Sequence, residues 1–121
     1  MTTWTREHDD LIARVAEGGI AQQEKGIPAR LWKYKFPDGR REHLPTYSTD
    51  LAACFRAAEA WKAIDVDRRG YSTMSASSSQ PTAICWTSPR CLVGEDLYQG
   101  QGKEPSQALA WALYNAVKGT K

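Results

Sequence analysis

The sequence has few of the features that mark enzymes, membrane proteins or metal-binding domains. Charged and polar residues interrupt every apolar stretch of its 121 residues, so we expect no membrane span. Neither a GxGxxG nor a Walker phosphate loop is present, and no GxSxG turn surrounds a serine, which argues against the enzymes built on those motifs. Only two histidines occur, His8 and His43, and they stand too far apart in sequence to predict a zinc site.

Cysteine is also scarce, and its pattern bears on the compartment. Cys54, Cys85 and Cys91 are the only three, no CxxC pair occurs, and Cys54 and Cys85 stand within apolar runs. Secreted domains of this size normally pair their cysteines, so buried reduced thiols in a cytoplasm are the better interpretation. The sequence turns strongly polar directly after residues 1–5, where a signal peptide needs an apolar segment. We therefore expect a cytoplasmic protein.

Charge of one sign is not in large excess either, since 16 Lys and Arg against 14 Asp and Glu leave +2. With 41% hydrophobic and 25% charged residues, the composition is that of an ordinary globular domain, which we take to span residues 1–121 as one unit. Aromatic residues, by contrast, are abundant, with five Trp and five Tyr. These rings need either a core or a partner to cover them.

Hydrophobic periodicity predicts the elements in the order α-β-α-β-β-β-α. Three helices are expected, from the cap Thr5 to Gly18, from a cap at Ser48 or Thr49 to about residue 65, and from Pro105 to Gly119. Extended segments are expected over 31–36, with a returning arm over 40–44, and over 71–77, 82–88 and 91–98. Residues 20–29 are interpreted as a linker and 100–102 as a loop. This order predicts an α+β fold, in which three helices cover a small antiparallel sheet of three or four strands.

Two stretches carry a resemblance to a known family. The first is Leu44-Pro45-x-Tyr47-Ser48-Thr49-Asp50-x-Ala52-Ala53, and the second is Pro105-x-x-Ala108-Leu109-x-x-Ala112-Leu113. With the β-rich middle between them, the sequence resembles the phage alpha-beta-alpha sandwich domain, a group of small bacteriophage proteins, over roughly residues 6–118. The resemblance implies an α/β sandwich and a bacteriophage origin, and it implies no activity and no catalytic residues.

Residues 25–43 combine bases with aromatic rings and look like an insertion, and we name them the basic aromatic segment. Between Lys25 and Arg41 the segment holds six bases and one acid, a charge of +5 that leaves −3 for the rest of the chain. The near-neutral total therefore conceals a dipolar molecule, and this local charge would attract an anionic partner.

Two interpretations of the basic aromatic segment stay open, because its rings alternate with its lysines. Trp32, Tyr34 and Phe36 share one face of the expected strand, and in the first interpretation they belong to the core while the lysines are solvated. In the second, the rings stack on the bases of a nucleotide or nucleic acid while Lys35 and the pair Arg40-Arg41 hold phosphates.

A second group of aromatic and basic residues is expected at the ends of the predicted strands. Arg69 and Tyr71 stand at the start of one strand, and Trp86 and Arg90 near the end of the next. Trp, Tyr and Arg carry much of the binding energy at protein interfaces, although a ring such as that of Trp86 is equally suited to a core. Trp111 is expected to point away from the apolar stripe of the last helix, where it would form a contact between two copies in a homodimer.

We therefore expect a non-enzymatic bacteriophage accessory protein that acts in the host bacterial cytoplasm without a metal or other cofactor. Its expected partner is a small anionic ligand of the nucleotide type, which a counter-defence protein would sequester. The first alternative is an inhibitor or adaptor that binds a host protein. The second is a protein that binds single-stranded nucleic acid. The expected ligand-binding residues are Trp32, Tyr34, Lys35, Arg40, Arg41, Arg69, Tyr71, Trp86 and Arg90, with Trp111 at an interface. No residue is expected to be catalytic.

Overall fold

Three helices and two small antiparallel sheets make up the part of the chain that the computed structural model describes, residues 3–28, 31–74, 81–87 and 97–119. The elements are α1 (Arg6–Val15), β1 (Ile20–Ala21), β2 (Lys33–Lys35), β3 (Arg41–His43), α2 (Leu51–Ile64), β4 (Gly70–Met74), β5 (Thr82–Trp86), β6 (Leu97–Gln101) and α3 (Pro105–Gly119). The predicted α+β class and the predicted order of helices and β segments are confirmed.

The strands form two separate sheets, which we call the small sheet and the main sheet. The small sheet has the order β1-β2-β3, and the main sheet has the order β4-β5-β6; every pairing is antiparallel. Residues 31–36 therefore do not join the main sheet. The linker predicted over 20–29 was wrong at its start, because Ile20 and Ala21 pair with Lys35 and Tyr34 of β2.

Local hydrogen bonds explain where the first two helices begin. Thr5 caps α1 as predicted, and its backbone N–H donates to His8 Nδ1 over 3.0 Å. The cap of α2 is Asp50, not Ser48 or Thr49, because the Asp50 carboxylate accepts the N–H of Ala53 over 3.1 Å. The preceding residues form a turn in which the N–H of Asp50 bonds to the carbonyl of Thr46.

The core lies between the main sheet and the helices, and α3 contributes the largest apolar stripe. All five predicted members of that stripe are fully buried, namely Leu109, Ala112, Leu113, Ala116 and Val117. Cys54 and Cys85 are buried free thiols, as expected, while Cys91 lies outside the described residues. Burial raises the pKa of the Cys85 thiol to about 12, so it behaves as an apolar group. Among the described residues, no helix is long and apolar enough to cross a bilayer.

A glycine fixes how closely α3 approaches the edge of the main sheet. The loop predicted over 100–102 was wrong at its first two residues, since Gly100 and Gln101 belong to β6. A Cβ atom at Gly100 would lie 2.3 Å from the carbonyl oxygen of Ala108 and 2.3 Å from the nitrogen of Ala112. The backbone of α3 therefore rests directly on the backbone of β6, which only glycine permits.

We expect Gly100→Ala to lower the free energy of unfolding by about 3 kcal/mol, because α3 must move away from β6 to admit the methyl group. Urea unfolding followed by circular dichroism measures the effect. The control is Gln101→Ala, at the next position on the strand and exposed, which we expect to change stability by less than about 0.5 kcal/mol. Equal unfolding midpoints for Gly100→Ala and the parent chain would contradict this packing.

Candidate functional site

The outward face of the small sheet carries four basic side chains, Lys33, Lys35, Arg41 and His43, which we call the basic face. Burial alternates along β2, with Tyr34 buried between exposed Lys33 and Lys35, and along β3, where Glu42 is half-buried between exposed neighbours. The strand register sets Lys33 opposite His43 and Lys35 opposite Arg41. Because opposed residues share a face, the four bases lie together on one side of the hairpin that β2 and β3 form.

The positive charges of the basic face are not neutralised by the acidic side chains that the structure describes. In the described part of the chain, no salt bridge involves any of its four side chains. A pair of like charges directly opposite each other on two strands is unfavourable, and the pair of Lys35 and Arg41 is of this kind. The hairpin therefore keeps an arrangement that costs stability and that an anion would relieve.

Part of the basic face opens into a recess of about 490 Å³, which we call the basic recess. Lys33, Arg41 and His43 line it together with two apolar side chains, Ile27 and Leu31, and with the carboxylate of Glu24. The volume falls within the range of small-ligand pockets, about 300–1,000 Å³. Ile27 and Leu31 are 38% and 50% exposed, so both are available to cover an apolar part of a ligand.

Arg40, which the sequence placed among the ligand-binding residues, is held against the protein by three carboxylates, and its side chain is 27% exposed. Its Nη2 donates to Glu17 over 2.9 Å, its Nη1 to Glu42 over 2.7 Å and its Nε to Asp38 over 2.7 Å. Its guanidinium also lies 4.3 Å from the centre of the Phe36 ring. Each nitrogen of Arg40 is thus engaged, and the side chain is structural. The backbone N–H and the guanidinium of Arg40 both hold the pKa of Asp38 below its ordinary value.

The centre of this network is the carboxylate of Glu17, whose side chain is only 2% exposed. Besides Arg40, it accepts hydrogen bonds from Nε of Arg56 over 2.9 Å and from the hydroxyl of Tyr47. Arg56 also reaches Glu42 over 3.0 Å, so the two arginines and two glutamates form a closed ring of charges. Burial, and then the negative charge of Glu17, raise the pKa of Tyr47 above its ordinary value.

Two of the three rings of the basic aromatic segment, Tyr34 and Phe36, are buried on the inner side of the small sheet. Tyr34 and Phe36 are 8% and 2% exposed, and their rings stack on each other with centres 6.4 Å apart. The Tyr34 hydroxyl donates to Asp10 on α1. Trp32 is half-buried, and its Nε1 donates to the carbonyl of Ile27 over 2.8 Å. Tyr34 and Phe36 therefore offer no exposed face for stacking bases, which the second interpretation needed, while Trp32 stays partly exposed.

The second predicted group is also tied into the fold. Arg69 donates to the carbonyl of Trp61 at the end of α2 over 3.1 Å and lies over its ring at 5.0 Å. The hydroxyl of Tyr71 donates to Glu59 over 2.5 Å. Trp86 covers Gly70 on the adjacent strand, because a Cβ atom there would lie 2.3 Å from its ring. Arg90 lies outside the described residues.

Trp111 belongs to a cluster of rings near the N-terminus, which we call the aromatic cluster. It contacts Trp4 edge-on at 5.0 Å, and it lies 5.1 Å from His8 and 6.0 Å from Tyr114. Trp111 is half-buried, and part of its surface lines a second depression. Sequence reasoning missed the roles of Trp4 and His8, although His8 lies one helical turn before the buried Leu11 of α1.

The predicted ligand-binding residues that the structure describes are therefore divided between the small sheet and the main sheet. Of the predicted ligand-binding residues, Lys35 and Arg41 lie on the basic face and are exposed. Lys33 and His43 were missed, although the alternation of β2 and β3 places them beside Lys35 and Arg41. No group of three or more potential metal ligands occurs among the described residues.

Comparison of the chain with models of protein families, with curated proteins and with solved structures gives no match. The resemblance to the phage alpha-beta-alpha sandwich domain therefore stays a prediction that rests on the residues quoted for it.

The two adjacent arginines should respond oppositely to removal. We expect Arg40→Ala to lower the free energy of unfolding by about 2 kcal/mol, because it removes one of two cations from a buried carboxylate. We expect Arg41→Ala to leave stability unchanged or to raise it by a few tenths of a kcal/mol, because it removes a like-charge pair. Urea unfolding at neutral pH compares the two variants. A larger loss for Arg41→Ala than for Arg40→Ala would contradict the assignment of inward and outward sides.

Tyr34 should make stability depend on pH in the alkaline range. Burial, and then its hydrogen bond to Asp10, raise the pKa of Tyr34 to about 12, so the folded state holds this proton more tightly than the unfolded state does. Its contribution is present below pH 10 and is lost as the pH rises from about 10 through 12. Absorbance titration measures the ionisation of the tyrosines, and we expect Tyr34→Phe to lack one of the phenol groups that ionise near pH 12. An unchanged titration curve in that variant would contradict the buried position.

Proposed function

We propose that this chain is a non-catalytic binding protein, and that its basic recess holds a phosphate-bearing ligand of the nucleotide type. The observation that carries the proposal is the set of bases on the outer side of β2 and β3, at the mouth of a recess of about 490 Å³, for which the described residues supply no acidic partner. Because the described ion pairs lie on the inner side, the outer bases have no role in holding the small sheet together.

The lining of the basic recess matches the parts of a nucleotide. Lys33 and Arg41 supply charge-assisted hydrogen bonds to phosphate oxygens, and a guanidinium can donate two such bonds in parallel. Ile27 and Leu31 offer apolar contact to a base or a ribose. The carboxylate of Glu24 would repel a second phosphate near it and accept a hydrogen bond from a ribose hydroxyl or a base amino group, which orients the ligand.

The biological role is proposed on the resemblance to bacteriophage proteins. A protein that retains a nucleotide without converting it lowers the free concentration of that nucleotide. In the cytoplasm of an infected bacterium, retention of a signalling nucleotide would act as a counter-defence. The proposed ligand binding stands on the geometry of the basic recess and does not depend on this role.

Single-stranded nucleic acid is the second candidate, because the basic face continues beyond the recess. Lys35 is part of the face without lining the recess, and Ile20, its partner on β1, is 70% exposed. A strand with several phosphates would use both parts of the face. Its affinity would fall steeply with salt, whereas the affinity for one nucleotide would fall much less.

Titration calorimetry with cyclic and linear nucleotides tests the proposal. We expect at least one to bind at 100 mM salt, and we expect Lys33→Ala/Arg41→Ala to weaken it by at least about tenfold, since each lost charged hydrogen bond is worth about 1.5–3 kcal/mol. The control is Lys62→Ala/Lys103→Ala, which removes the same charge away from the basic face and should leave the affinity unchanged.

Three results would count against this proposal. Flat titrations with every nucleotide would contradict ligand binding. Equal losses in the test variant and the control would show attraction to net charge alone. Conversion of the nucleotide during incubation, seen by chromatography of the recovered ligand, would show an enzyme instead of a binding protein.

A further inference from the structure

A groove of about 730 Å³ runs between the edge of the main sheet and one side of α3. Its first wall is residues 99–103, which include the end of β6, and its second wall is Gln107, Trp111 and Asn115, spaced four apart and therefore on one side of the helix. Thr3 and Trp4 close the groove from the N-terminal segment. We call it the edge groove, and it shares no lining residue with the basic recess.

The hydrogen-bond pattern of the main sheet shows which backbone groups of β6 face outward. The N–H of Gly102 donates to the carbonyl of Pro81 over 3.3 Å, so the backbone N–H and C=O groups of residues 98, 100 and 102 point toward β5. The intervening residues, among them Gln99 and Gln101, direct their backbone groups to the other side. The carbonyl of Gln99 agrees with this, since it accepts from Nδ2 of Asn115 over 3.1 Å on α3.

The outer edge of β6 is open in the described part of the chain. No described strand pairs with that edge, and no hydrogen bond from the described residues reaches the N–H of Gln99 or the N–H and C=O of Gln101. An open strand edge is a template for a further strand, and proteins commonly cover it. Here Asn115 covers one acceptor and leaves the neighbouring groups available.

The aromatic wall of the edge groove is rigidly supported. Trp4 donates its Nε1 to Asp9 over 2.9 Å, and its ring stacks on His8 with centres 4.9 Å apart. Trp111 is packed edge-on against Trp4. Gly100 and Gly102 also line the groove, but Gly100 lies against the backbone of α3 and Gly102 against the side chain of Gln107, so the open backbone beside the rings is that of Gln99 and Gln101. This arrangement gives an apolar side chain of a bound segment a preformed surface next to the strand edge.

We propose that the edge groove binds an extended peptide segment of a partner protein, which adds to β6 as a fourth strand. Its backbone would pair with Gln99 and Gln101, an apolar side chain would lie on Trp111, and a carboxylate would lie near Lys103. Lys103 is the only charged residue among the ten that line the groove, so the complementary segment is neutral apart from an acidic group at that end. Strand addition of this kind takes affinity from the main chain and specificity from alternate side chains.

The strand edge itself provides the sharpest variant. Gln101→Pro removes an outward N–H while leaving the ladder between β5 and β6 intact, because Gln101 does not donate toward β5. Gln101→Ala is the matched control, since it loses the same side chain and keeps the N–H. Thermal unfolding of both variants establishes that each one is folded.

The test uses seven-residue peptides selected from a random library on the full chain and then synthesised. We expect selected peptides to bind Gln101→Ala as they bind the parent, to bind Gln101→Pro at least about tenfold more weakly, and to slow hydrogen exchange at the amide of Gln99. The selected sequences should carry an apolar residue and one acidic group.

Four results would overturn the proposal. In the first, the library yields no binders, and in the second, the selected peptides bind both variants with equal affinity. In the third, a nucleotide shifts the amide signals of Gln99 and Gln101 and no peptide does so. The fourth is a dimer of the parent chain that Gln101→Pro dissociates, which would show that a second copy occupies the edge.

Discussion

The carboxylate of Glu17 is the contact on which the placement of the small sheet depends. It stands just after α1, and it binds Arg40 next to β3, Arg56 on α2 and the hydroxyl of Tyr47 before α2. A buried carboxylate loses several kcal/mol of hydration, and only several well-placed donors offset that loss. The three donors come from three different parts of the chain, so satisfying Glu17 fixes these parts together.

This constraint also decides which cations are available to a partner. Successive residues of an extended strand point to opposite sides of the sheet. Arg40, directly before β3, therefore lies on the same side as Glu42, where the carboxylates of Glu17 and Glu42 bind it. Arg41 follows directly in sequence and points outward. A base that holds the fold, Arg40, therefore stands directly beside Arg41, which has no acidic partner among the described residues. The charge of +5 in this segment combines both kinds, and the proposed site uses only the outer ones.

The sequence was sufficient to predict the fold class, the order of the elements and the stripe of α3, because these follow from periodicity and local capping. It was not sufficient for Arg40, whose partner Glu17 is 23 residues distant, nor for Trp111, whose partners lie on and before α1. Gly100 was expected in a loop, because its real reason for being glycine is the close approach of α3. That approach is a tertiary contact, which local sequence patterns do not indicate. Strand alternation, in contrast, was visible, and a consistent use of it over residues 41–43 would have placed His43 beside the lysines.

Carboxylates hold Arg40 in place, whereas Arg41 is exposed to an anion, and nuclear magnetic resonance of the arginine Nε–H groups tests this difference directly. We predict that the Nε–H signals of Arg40 and Arg56 exchange slowly with water and stay in place when pyrophosphate is added. The signal of Arg41 should exchange rapidly and shift with pyrophosphate until the site is saturated. A shift of the Arg40 signal, or a stationary Arg41 signal, would contradict the account.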